Sequence, residues 1–109
     1  MAQNSKSDDE LGVQTLSRPK SSLRPPRMYK VILHNDDYTT RDFVVDILCH
    51  VFGHAETVAI QIMLQVHTSG SGVAGIYTHE IAETKIHTVD TLAKENEFPL
   101  KLSLEPEGT

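Results

Sequence analysis

Seven residues of strand-type sequence, Met28-Tyr29-Lys30-Val31-Ile32-Leu33-His34, run without a spacer into Asn35-Asp36-Asp37. The β-branched pair Val31 and Ile32 favours an extended backbone. Asn and Asp end such a run by bonding their own main chain in a turn. Thr39-Thr40-Arg41-Asp42 then has the spacing of a capping box, with Thr39 as N-cap and Asp42 three residues on. Behind it Phe43, Val44, Ile47, Leu48, Val51 and Phe52 recur at helical spacing, and Gly53 suits a left-handed stop. A strand, an acceptor-rich corner and an amphipathic helix are therefore locked together at the start of whatever this chain folds into.

The remaining patterns add two helices and two strands. A second helix is expected over about Ala55 to Thr68, with Val58, Ala59, Ile62, Met63 and Val66 facing inward. Ser69-Gly70-Ser71-Gly72 reads as a flexible loop, Val73 to Tyr77 as a short strand. Thr78 or His79 opens a long helix with Ala82, Ile86, Val89 and Ala93 on one stripe, and Leu100, Leu102 and Leu104 alternate in a last strand. The order β-α-α-β-α-β with only three strands predicts an α+β fold: a small three-stranded antiparallel sheet with helices on one face.

Residues 1–24 differ in kind. Their sizeable apolar residues, Leu11, Val13, Leu16 and Leu23, share no helical face, so the segment is expected to be a disordered extension. Pro25-Pro26 marks the border to a single core domain over residues 25–109. Lys6, Arg18, Lys20 and Arg24 against Asp8, Asp9 and Glu10 give the extension a charge of +1, which leaves −6 of the net −5 on the core. That balance excludes a nucleic-acid binder, which needs a basic face. Cys49 is the sole cysteine and forms no internal bridge. No apolar run reaches the roughly 18 residues of a membrane span, and Asp8-Asp9-Glu10 sits badly with a targeting peptide. The expectation is a cytoplasmic monomer that binds neither nucleic acid nor membrane.

Three polar features invite chemistry: Asn35-Asp36-Asp37, His67 beside the apolar Met63 and Val66, and the run from Glu80 to Lys85. A metal site would recruit His34, Asp36, Asp37 and His67, but no pair at ligand spacing fixes two of them on one face. A hydrolase would use His67 as base against Asp36 or Asp37, yet no serine sits in a nucleophile elbow and Cys49 belongs to a helix pattern. The reading is of a non-enzyme without cofactor. A binding site asks less: a protonated amine donates three hydrogen bonds, and amide oxygen, carboxylate and neutral imidazole accept them. Acceptors around an apolar hole would select a peptide N-terminus with a bulky first residue. Burial of that side chain contributes about 1.5–3 kcal/mol.

Met28 to Thr39 resembles the first strand and turn of the ClpS family, and Met63-Leu64-Gln65-Val66-His67, Ala82-Glu83-Thr84-Lys85 and Glu95-Asn96-Glu97-Phe98-Pro99-Leu100 agree with it in order and spacing. The resemblance spans about residues 25–105. It implies an adaptor of the bacterial N-end rule, which binds N-degron peptides and hands them to the Clp unfoldase–protease, usually ClpA with ClpP. By the same resemblance Asn35, Asp37 and His67, with Asp36 beside them, hold the substrate α-amino group. Leu33, Thr39, Val44, Met63, Val66 and Leu100 form the side-chain pocket, and Glu80 and Lys85 lie on the face that docks the unfoldase N-domain. The extension corresponds to the segment used in substrate handover. Thr40-Arg41 stands where the family often has Pro-Met, whose Met guards the pocket. Arg41 is expected over the pocket rim, leaning outward toward Asp37 or Asp42. A second reading is a ClpS-like protein that docks on an unfoldase with narrowed or lost N-degron selection.

Overall fold

The computed structural model describes residues 25–108; the expectation of a disordered extension over residues 1–24 lies outside them. In chain order the elements are β1 (Met28–His34), α1 (Arg41–His50), α2 (Glu56–Ser69), β2 (Ser71–Thr78), α3 (His79–Glu95) and β3 (Lys101–Pro106). The first strand is the middle of the sheet, with β2 and β3 antiparallel on either side. This is the predicted three-stranded α+β architecture. No helix among the described residues is long and apolar enough to cross a membrane.

Alternation along β1 divides the sheet into two faces. Val31 and Leu33 are fully buried and join one core with Val44, Ile47 and Leu48 of α1, Ala59 and Val66 of α2, and Ala82, Val89 and Ala93 of α3. Lys30, Ile32 and His34 point the other way, opposite Glu105, Ser103 and Lys101 of β3. On that second face His34 Nε2 and Ser103 Oγ form a 2.7 Å hydrogen bond. One extra residue, Ala74, interrupts the pairing of β1 with β2 between Val31 and Ile32. Such a bulge frees backbone groups of the ladder, and the Ala74 carbonyl accepts a hydrogen bond from His54 Nε2.

Three details depart from the patterns in the sequence. The N-cap of α1 is Thr40, whose Oγ1 accepts from the Phe43 N–H at 3.1 Å, and not Thr39, which is drawn into the preceding turn. The stretch 69–72 is not a loop: Ser69 ends α2, Gly70 turns the chain with φ 90°, and Ser71 already belongs to β2. Val58 is not inward; it is 40% exposed, because the buried stripe of α2 is narrow and consists of Ala59 and Val66.

Lys85 ties α3 to the end of α1. Its Nζ donates to the Val51 carbonyl at 2.8 Å, where the helix leaves carbonyls without intrahelical partners. The same ammonium lies 5.2 Å from the centre of the Tyr77 ring, and that ring occupies the space a Cβ on Gly75 would need. Lys85→Met removes the donor and leaves the stem. It should cost about 1 kcal/mol, read as a fall in Tm of about 4–8 °C for a domain of this size, while leaving the far-UV circular dichroism unchanged.

Candidate functional site

Six residues separate the end of β1 from the start of α1, and Asp36 organises their turn with one carboxylate. Its Oδ1 accepts from the Tyr38 N–H at 2.8 Å and the Thr39 N–H at 2.7 Å, and its Oδ2 accepts from Thr39 Oγ1 at 2.6 Å. Partial burial works against the charge, but the Thr39 hydroxyl and the two backbone donors outweigh it and hold the Asp36 carboxyl below its ordinary value. Asp36 therefore serves the turn, while Asn35 and Asp37 on either side keep their side-chain oxygens exposed. Among the described residues neither of those two side chains has a hydrogen-bond partner.

A second clip fixes where this corner lies. The Asn35 N–H donates to the Gly70 carbonyl at 2.9 Å, joining the end of β1 to the end of α2. His67, in the last turn of α2, is thereby brought to the same mouth as Asn35, Asp36 and Asp37, 30 to 32 positions away in sequence. The mouth is a cavity of about 340 Å³ whose walls also include Thr39, Arg41, Val44, Met63 and Val66. Below it, a recess of about 20 Å³ is bounded by Asn35, Asp36, Thr39, Val44, Val66 and Leu100. The recess has room for little more than one water.

Most residues assigned from the sequence thus converge on one place. Leu33 does not line it; it is fully buried in the core behind the recess. Glu80 and Lys85 lie elsewhere, on the first half of α3, with Glu80 exposed and Lys85 committed to the Val51 carbonyl. The mouth also holds Tyr38, 77% exposed and unassigned in the sequence reading. A lone aromatic next to three acceptors was its available signal.

Arg41 does not lean toward Asp37 or Asp42. It crosses the mouth, and its Nη2–H donates to His67 Nε2 at 2.7 Å. A cation in the first turn of α1 opposes that helix's dipole, whereas the last turn of α2 attracts it. An exposed pair with an aspartate gains little over water, so the imidazole lone pair across the mouth prevails.

A family model for ATP-dependent Clp protease adaptor protein ClpS matches residues 24–103. The chain belongs to the ClpS family. Among curated ClpS adaptors it is 57% identical to that of Myxococcus xanthus over 102 residues, covering 94% of this chain and 95% of the relative. It is 62% identical to that of Desulfotalea psychrophila over 84 residues, covering 77% and 82%. Among solved structures, Agrobacterium tumefaciens ClpS2 bound to L-phenylalaninamide aligns with a TM-score of 0.72 at 43% identity, covering 76% of this chain and all of that one. The β-α-α-β-α-β core is thus a ClpS fold.

The Asp36 turn carries a pH signature. A carboxyl with a depressed folded-state pKa stabilises the fold above its unfolded value and loses that contribution as pH falls through the folded one. Asp36→Ala should therefore lower the denaturant midpoint at neutral pH. The gap to the unsubstituted protein should close below the ordinary aspartate value of 3.8; a gap that persisted into acid would assign the loss to packing instead of charge.

Proposed function

We propose that this ClpS-family chain recognises substrates by a free α-amino group next to a bulky hydrophobic first residue, Leu, Phe, Tyr or Trp, and delivers them to the Clp unfoldase–protease. The observation that carries this reading is the juxtaposition at one mouth of the open acceptors of Asn35 and Asp37 with a recess walled by Val44, Val66 and Leu100. An ammonium placed among such acceptors gains charge-assisted hydrogen bonds of about 1.5–3 kcal/mol each. The attached side chain gains about as much again by leaving water. After the costs of association, roughly micromolar affinity results. The ligand of the Agrobacterium relative, phenylalaninamide, joins a free amine to an aromatic side chain and fits that pairing.

In this reading the substrate ammonium sits among Asn35, Asp37 and His67, with Asp36 holding the turn. Thr39, Met63, Val44, Val66 and Leu100 part to admit the first side chain, and Leu33 backs them from the core. The unfoldase N-domain, of the ClpA type, docks on the face that carries Glu80 and Lys85, and the segment before Pro25 serves handover. The chain acts as a cytoplasmic, non-catalytic monomer. One observation favours the second reading, an unfoldase-docking modulator with narrowed selection: the recess is about 20 Å³ and Arg41 lies across its mouth.

Fluorescence anisotropy with peptides that differ only in residue one separates the two readings: binding of Leu, Phe, Tyr and Trp over small first residues supports the adaptor, and binding of only a subset of these, or of none, supports the modulator. Acetylating a Phe-starting peptide should abolish its binding, since the cap removes the charge and two donors. Asn35→Ala with Asp37→Ala should do the same while the protein still melts cooperatively near the unsubstituted value. Deleting residues 1–20 should leave peptide affinity unchanged and slow degradation of an N-degron reporter by the unfoldase–protease.

A further inference from the structure

The contact between Arg41 and His67 has only one consistent assignment of protons. A guanidinium carries five N–H donors and no acceptor. At 2.7 Å from Arg41 Nη2, His67 Nε2 must therefore be the acceptor, which requires a neutral imidazole with its proton on Nδ1. The lone pair that Arg41 occupies faces the same mouth as Asn35 and Asp37.

We propose that Arg41 is an internal competitor for the substrate amine: its guanidinium latches onto His67 Nε2 across the mouth, and an incoming α-ammonium must displace it. This deepens the site reading above and rests on it. The latch joins the first residue of α1 to the last turn of α2, so its release uncovers the mouth between them. Displacement exchanges one cation for another over the same acceptor.

The test uses the full chain and a short Phe-starting peptide with a C-terminal fluorophore. Arg41→Met keeps the length of the side chain and removes every donor; Arg41→Ala controls for apolar contact by the new methionine. Both should bind about threefold to tenfold more tightly than the unsubstituted protein near pH 8, a gain in keeping with one exposed hydrogen bond to a charged group. No gain in either variant overturns the latch. In the unsubstituted protein, imidazole ¹⁵N shifts should report the Nδ1–H form of His67 at neutral pH and its retention, with a changed Nε2 shift, on peptide addition; an Nε2–H form overturns the proposal without any variant. An acetylated peptide that binds as well as the free one overturns the underlying site reading, whereas amine-dependent binding that is insensitive to Arg41 overturns the latch alone.

Discussion

The carboxylate of Asp36 folds the corner on which every feature of the mouth depends. It collects two backbone donors and a hydroxyl within 2.8 Å, and in doing so removes Thr39 from competition for the helix cap. The cap falls to Thr40, and α1 begins at Arg41. Each residue of an α-helix turns the chain by about 100°, so a start one position earlier would swing Arg41 and Val44 away from the mouth. A single charged side chain, half-shielded by the turn it makes, thus sets the phase of the helix that forms one wall. The Asn35 N–H to Gly70 carbonyl bond then sets the distance to the other wall.

Local patterns carried most of the fold because each element has its own period. Val31 and Leu33 alternate as a strand must, and Ala82, Val89 and Ala93 repeat as a buried helical stripe must; the structure buries all of them. The differences arise where a neighbour distant in sequence decides. Thr39 and Thr40 are equal as caps on residue type, and only the Asp36 carboxylate separates them. Gly72 reads as loop by composition, yet it lies inside β2 because a Cβ there would meet the Val66 side chain at 2.9 Å. Val58 fits the period of α2, but the residues that helix buries are Ala59 and Val66.

The candidate site divides in the same way. Asn35, Asp36 and Asp37 are adjacent in sequence, so their convergence on one corner follows from the turn. His67 is marked in the sequence only by its apolar neighbours Met63 and Val66, and its place at that corner follows from Gly70 ending α2 and handing its carbonyl to Asn35. Arg41 was legible as a rim residue from its register, but not in direction. Direction was set by the end of α2, whose dipole and imidazole lone pair reach it across the mouth. Leu33 precedes the acceptors in sequence, yet it is fully buried on the core face of β1 and lines neither the mouth nor the recess.

An internal cation at a cation site has a definite thermodynamic consequence. The apparent affinity for any amine is the intrinsic affinity multiplied by the fraction of molecules whose latch is open. That factor is the same for every amine, so it cannot by itself change the ratio between a bulky first residue and a small one. What it changes is occupancy. An amine held by hydrogen bonds alone, such as a lysine side chain on a passing protein, regains roughly what the displaced guanidinium loses and ends near balance. A peptide N-terminus that also buries a large apolar side chain adds about 1.5–3 kcal/mol beyond that exchange. On the proposed reading the discrimination would reside in the recess walled by Val44, Val66 and Leu100, and the proposed latch on His67 would set the level of binding at which that discrimination begins to matter.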